Sequence, residues 1–247
     1  MERGPQHRRL GKALPSPLFP LPLSTDDAHY TFERFIADRG YPCIMAKSAL
    51  KRSQYRLHTY SALTSSDAVD ALAHDLEAFA AEPEPKRGFR SFVSIYDGSA
   101  PADERQFERD LWSLLGALHA RDLKPWDAAV SSDASDPTFS FSFAGRGFYV
   151  VGMHPNASRP ARRFDYPMIV FNLHAQFQQL RDQGRYDKVR SLIRNRDRAL
   201  AGSVNPMMDD FGSRSEARQY AGRAVEAGWK CPFHAVHAAA PSEPTDA

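Results

Sequence analysis

The stretch TFSFSFAGRGFYVVGM, residues 138–153, limits the fold more than any other part of the chain. Phe139, Phe141 and Phe143 alternate with Ser140 and Ser142, the period of a strand that sets its aromatics on one face of a sheet. Gly145 and Gly147 interrupt the pattern, and the aromatic and β-branched run FYVV resumes at once. Two strands this close must turn back on each other, which predicts an antiparallel hairpin around Gly145 to Gly147. FRSFVSIYDG and PMIVFNLH, with the same residue types, offer two further strands.

Helical patterns separate the strands. In STDDAHYTFERFIADRG, Ser24 or Thr25 can cap a helix, Asp26 and Asp27 suit its positive N-terminus, and Gly40 can end it. A second helix is expected after Ser65, through DAVDALAHDLEAFA. Phe107, Leu111, Leu114, Leu115 and Leu118 recur at the spacing of one apolar helical face in ADERQFERDLWSLLGALHARD. Gly184 divides AQFQQLRDQGRYDKVRSLIRNRDRAL into two helical pieces. A hairpin with long helices is an α+β arrangement: a single domain with a mainly antiparallel sheet packed with several helices.

The chain is long enough for such a core, and nothing divides it in two; AEPEPKRG at 81–88 is a turn rather than a linker. The expected domain spans residues 25–234. Prolines break the apolar segment RRLGKALPSPLFPLPLS before it reaches the length of a signal core or a membrane span, so residues 1–24 are expected to be a disordered extension. Residues 235–247, ending in AAAPSEPTDA, are expected to be a disordered tail. With 32 basic and 30 acidic residues interspersed, no strong field favours nucleic acid or membrane. RYDKVRSLIRNRDR carries Asp187 and Asp197 among its arginines and reads as a solvated helix face. Cys43 and Cys231 lack CxxC spacing, which fits a reducing cytoplasm and neither a disulfide framework nor a structural zinc site. Phosphate loops, dinucleotide fingerprints, hydrolase elbows and zincin motifs do not occur.

One constellation remains. In FYVVGMHPNASRPARRF a strand ends at His154, and Arg159, Arg162 and Arg163 follow. His174 ends the neighbouring strand PMIVFNL, while Cys231 and His234 lie in WKCPFH. Imidazole and thiolate are iron donors, and guanidiniums pair with carboxylates. Each of these histidines could equally be a hydrogen-bonded structural residue.

The segments FVSIYDG, FERDLWSLLGALHARD, PWDAAVSSDASDPTFSFSFAGRGFYVVGMHPNASRPARRF, MIVFNLHAQFQQLR, NPMMDDFGSRSEARQYAGR and WKCPFH together resemble the YqcI/YcgG family, over residues 28 to 234. That family includes haem-dependent enzymes that N-hydroxylate guanidine groups of arginine-like amino acids. The resemblance implies haem b with His154 as axial ligand, His174 and Cys231 being the alternatives. Arg159, Arg162 and Arg163 would pair with the propionates, and His174 would also belong to the cofactor site. Asp127 and Trp126 would hold the substrate, with Asp133, Asp209 and Asp210 as further carboxylates for a guanidinium. Lys230 beside Cys231 could lower the thiol pKa. The reaction would use O2, a small-molecule substrate and an external electron donor; a homodimer is compatible with it. A noncatalytic haem-binding or gas-sensing protein is the second reading, and a small non-haem metal or ligand-binding domain the third.

Overall fold

A computed structural model describes residues 23–85, 87–207 and 213–235. The extensions expected at 1–24 and 235–247 lie outside these, except residues 23, 24 and 235. Among the described residues seven helices surround a five-stranded sheet in the order β1-β2-β5-β4-β3, formed by β1 (Tyr55–Tyr60), β2 (Ser91–Tyr96), β3 (Phe141–Phe143), β4 (Arg146–Met153) and β5 (Met168–Leu173). The β1–β2 pair is parallel; every other pair is antiparallel. The mixed sheet agrees with the α+β, mainly antiparallel expectation.

Local chemistry accounts for most of the elements. Ser24 Oγ accepts from Asp27 N to cap α1 (Thr25–Ala37), and Ser65 and Asp103 do the same for α3 (Ser66–Ala81) and α4 (Glu104–His119). Between them α2 (Ile44–Lys51) starts at Cys43. Phe143 pairs with Arg146, so the hairpin loop is Ala144-Gly145, both with positive φ as a type I′ turn requires. Gly184, at φ 63°, separates α5 (His174–Asp182) from α6 (Tyr186–Ala201). A short 3-10 turn (Pro160–Arg162) and α7 (Ala217–Tyr220) complete the set.

Two cores flank the sheet. On one face Phe92, Phe148, Val150 and Phe171 pack with Leu72, Leu76 and Phe79 of α3, Phe107, Leu111 and Leu115 of α4, and Tyr220 of α7. On the other, Leu57, Val93, Ile95 and Val170 meet Ala28, Phe32 and Ile36 of α1. Phe139, Phe141 and Phe143 all enter the first core, as their alternation predicts. Ser140 and Ser142 between them are also fully buried, because loops and α5 cover the face that the pattern would leave to water.

The sheet and α4 approach closely at Gly152, where an added Cβ would lie 2.6 Å from Phe107 Cε1 and 2.8 Å from Leu111 Cδ1. Gly152→Ala is therefore expected to cost about 1–3 kcal/mol of stability by overpacking, measurable in urea. Wild-type stability would show that α4 yields freely. Among the described residues no helix is long and apolar enough to cross a membrane.

Candidate functional site

On the α1 side the sheet does not close against its helices. Tyr149, Val151 and Met153 of β4, Val170 and Asn172 of β5, and Tyr55 of β1 form one wall of a cavity. Phe32 and Ile36 of α1, Cys43 and Met45 at the start of α2, Phe177 of α5 and Ile193 of α6 form the rest. Its empty volume is about 1210 Å³ with the open mouth included. The walls are mostly apolar with a few convergent polar groups, the composition of small-molecule and cofactor pockets.

The charged lining residues are Arg159, Arg162 and Asp197, a net charge of one positive. Arg159 donates to Asp197 Oδ2 at 2.7 Å and to the Ser203 carbonyl at 2.7 Å. Asp197 is buried in α6 and also accepts from Asn205 N at 2.8 Å. The basic helix thus turns one carboxylate inward, where the sequence pattern reads only a solvated face. Arg162 donates to the Gly152 carbonyl at 2.8 Å and to the Gln219 carbonyl at 3.2 Å. Tyr149 OH donates to Gln219 Oε1 at 2.8 Å.

Cys43 occupies the N-cap of α2, and its Sγ accepts from Ala46 N at 3.4 Å. Burial pushes the thiol pKa up, and the Ala46 and Met45 amides and the Arg162 guanidinium oppose the rise. Tyr41 is 6% exposed and lines the same cavity. Among the described residues no three His, Cys, Asp or Glu side chains converge as a metal-ion site.

The residues singled out in the sequence are spread over three places. Arg159 and Arg162 line the cavity, while Arg163 donates to the Ala157 and Ser158 carbonyls outside it. His154 leaves the sheet on the other face. Its ring stacks on Phe107 at 4.4 Å, 1% of the residue is exposed, and neither ring nitrogen has a hydrogen-bond partner. Burial lowers its pKa. The imidazole and guanidiniums that the sequence groups together are therefore divided by the sheet. The division follows from parity along β4: Phe148, Val150 and His154 share one face, and Tyr149, Val151 and Met153 the other.

Cys231 is half-buried against the first core, and burial pushes its thiol pKa up to about 12. Desolvation thus outweighs the lowering expected from Lys230. Asp127 accepts from Ala129 N at 2.9 Å and Gly147 N at 2.7 Å, so its carboxylate braces the hairpin. Trp126 packs among His119, Phe139, Phe141 and Phe233. Asp133 closes its own turn through Ser135 N. Asp209 and Asp210 lie outside the described residues.

His174 stands at the start of α5, on the cavity side of the sheet but outside the lining. Its Nε2 faces Arg181 Nη2 at 3.2 Å, and its Nδ1 faces Ser140 Oγ at 2.9 Å. Guanidinium can only donate, so Nε2 is the acceptor, Nδ1 carries the proton, and the ring is neutral. Burial, then Arg181, lowers its pKa to about 4. Ser140 Oγ in turn donates to Glu216 Oε2 at 3.4 Å. Burial raises the Glu216 pKa to about 7, with Arg181 and Ser140 opposing.

No motif in the sequence pointed to Cys43, Tyr41, Asp197 or Glu216. The available signal was positional: Cys43 precedes IMAKSALK as an N-cap residue would, and Glu216 stands just before ARQY.

No curated protein and no solved structure matches the chain. The YqcI/YcgG family model matches residues 32–234, a span that holds the whole sheet, the cavity walls and both cysteines. The chain belongs to the YqcI/YcgG family.

Proposed function

We propose that this protein is a haem-dependent oxygenase that N-hydroxylates a small guanidino or amino compound, arginine-like in chemistry, with O2 and electrons from an external donor. The cavity carries this reading. Its donor set fits haem: apolar walls for a macrocycle, two guanidiniums for propionates, and the Cys43 thiol, the Met45 and Met153 thioethers and the Tyr41 hydroxyl as donors to iron. His154, His174 and Cys231 are not among the lining residues. Haem would supply the activation of O2, which no side chain here can perform.

The protein's own groups would bind and orient. Arg159 and Arg162 are held at fixed angles by Asp197 and by backbone carbonyls, so they meet a carboxylate without further ordering. Asp197, the carboxylate on the described lining, is already paired with Arg159. A guanidino group would therefore be held by neutral acceptors and ring faces. The Asn172 and Gln219 side-chain oxygens each accept one hydrogen bond and keep a second lone pair, and Tyr149 and Phe177 supply the faces.

Titration of the purified protein with ferric haem should give a saturable one-to-one Soret change. Arg162→Ala should weaken binding by roughly 10- to 150-fold, the value of one charge-assisted bond at about 1.5–3 kcal/mol. Arg163→Ala, outside the lining, should bind as wild type does. Reduced, loaded protein given isotopically heavy O2 and arginine, its relatives and simple amines should yield a product carrying one heavy oxygen atom. Absence of saturable haem binding would sink the proposal. Tight binding with no labelled product under chemical and enzymatic reduction would leave a haem carrier or sensor.

A further inference from the structure

We propose that Tyr149, Tyr220, Trp112 and Trp229 form a chain that carries oxidising equivalents out of the cavity to the protein surface. This second function rests on the haem reading above, and its residues, Tyr149 apart, lie outside the cavity lining. Tyr149 stands in the cavity wall, and its ring meets that of Tyr220 edge to face at 5.8 Å. Tyr220 stacks on Trp112 at 5.6 Å and 21°, and Trp112 meets Trp229 at 6.3 Å. Tyr220 and Trp112 are buried in the first core, whereas Trp229 is half-buried, so the series runs from the cavity through the interior to water.

Phenol and indole rings give up an electron far more readily than the phenylalanine rings and aliphatic groups around them, and transfer between rings in near contact is fast. The two phenols are held in place: Tyr149 OH donates to Gln219 Oε1 at 2.8 Å, and Tyr220 OH donates to the Phe148 carbonyl and accepts from Phe141 N, both at 3.2 Å. Each phenol proton shifts along the hydrogen bond it already makes when its ring loses an electron, and returns when the electron is replaced. Trp112 Nε1 has no hydrogen-bond partner, so that ring passes the charge on without shedding its proton. At Trp229 the Arg218 guanidinium lies 5.6 Å from the ring centroid and disfavours a lasting positive charge, so there the indole proton leaves to water.

The cavity lining gives such an outlet a purpose. Cys43, Met45 and Met153 line it, and a stray oxidant converts thiols and thioethers to sulfenic acid and sulfoxide. The oxidant is a peroxide acting at the loaded site when no substrate is present. Trp229 loses two electrons in two passages and takes an oxygen atom from water, with the release of two protons in all. Hydrogen peroxide takes up the two electrons and two protons and leaves as two waters. The sum is tryptophan and hydrogen peroxide giving hydroxytryptophan and one water.

For the test, the full-length protein loaded with ferric haem is treated with ordinary hydrogen peroxide in heavy-oxygen water, without O2 or substrate, and its peptides are mapped by mass spectrometry. Trp229 should gain one heavy oxygen atom, and Tyr220→Phe and Trp112→Phe should each lose most of that label. Sulfoxide at Met45 and Met153 should rise in the same two variants. Protein without haem should keep Trp229 intact under the same peroxide. Light oxygen at Trp229, the mark of direct attack by peroxide, overturns the chain and leaves haem binding standing, as does equal labelling in wild type and both variants. If one variant does not fold, the other decides, because each breaks a different link, and the isotope at Trp229 in the wild type discriminates by itself. Failure of the wild type to bind haem removes this role together with the function it rests on.

Discussion

Asp197→Ala should destabilise the protein by about 3–5 kcal/mol, the loss typical when one member of a buried ion pair is removed. Asp197 and Arg159 have side chains 5% and 13% exposed, so water replaces the lost carboxylate poorly. The same carboxylate also accepts the Asn205 N–H, and its removal leaves a second buried donor unsatisfied. Asp197→Asn keeps an acceptor for Asn205 and should cost less. Asp187→Ala, on the same helix but 80% exposed in its pair with Arg190, should change stability by under about 1 kcal/mol. Chemical denaturation of the three variants gives the comparison. A loss for Asp197→Ala no larger than for Asp187→Ala would mean that Arg159 swings out to water and that the cavity wall is not fixed by this pair.

The elements legible in the sequence are those whose signals are local. Ser24 and Ser65 cap helices within three residues of themselves, the apolar spacing from Phe107 to Leu118 marks α4, Gly184 breaks a helix where it stands, and the Gly145 to Gly147 signal marks the hairpin within one residue of its observed Ala144-Gly145 loop. Of the missed elements, β1 and α2 carry weak patterns for a physical reason. Arg56 and His58 of β1 are exposed because it is an edge strand, and only Ala49 of α2 is buried because the helix borders a cavity. The parallel β1–β2 pair depends on how α3 crosses between them, which no short window contains. The site follows the same rule. Arg159 and Arg162 were legible as residues, but whether His154 joins them depends on a phase of one residue along β4. That phase could have been counted, since His154 has the parity of Phe148 and Val150, both core residues. Cys43 meets Arg162 across more than a hundred residues of chain, so only the folded sheet makes them neighbours.

The chain from His174 through Ser140 to Glu216 leads to the last expected result: two single substitutions should tilt the pH dependence of stability in opposite directions. Glu216 is raised from 4.5 to about 7, so between those values the folded state holds a proton that the unfolded chain releases. Its contribution to stability falls as pH rises through that window. His174 is lowered from 6.5 to about 4, so between those values the unfolded chain holds a proton that the fold refuses. Its contribution rises with pH. In the overlap, pH 4.5 to 6.5, the two slopes oppose each other in the wild type.

Removing either group uncovers the other. Relative to wild type, Glu216→Gln should gain stability as pH rises from 4.5 to 7, because the penalty for charging a half-buried, desolvated carboxyl is gone. His174→Gln should lose it over 4 to 6.5. One proton is worth at most about 1.4 kcal/mol per pH unit, so the curves of the two variants should diverge by about 2–3 kcal/mol per unit inside the overlap. The groups that face the chain, Arg181, Asp127 and the hydroxyls of Tyr149, Tyr186 and Tyr220, remain in both variants and cancel in the comparison. Urea unfolding at half-unit steps from pH 4.5 to 8 reads the effect directly. Parallel curves for wild type and both variants would show that Glu216 and His174 titrate as solvated groups, and that the partly buried hydrogen-bonded chain beside the cavity does not hold its proton on the carboxyl.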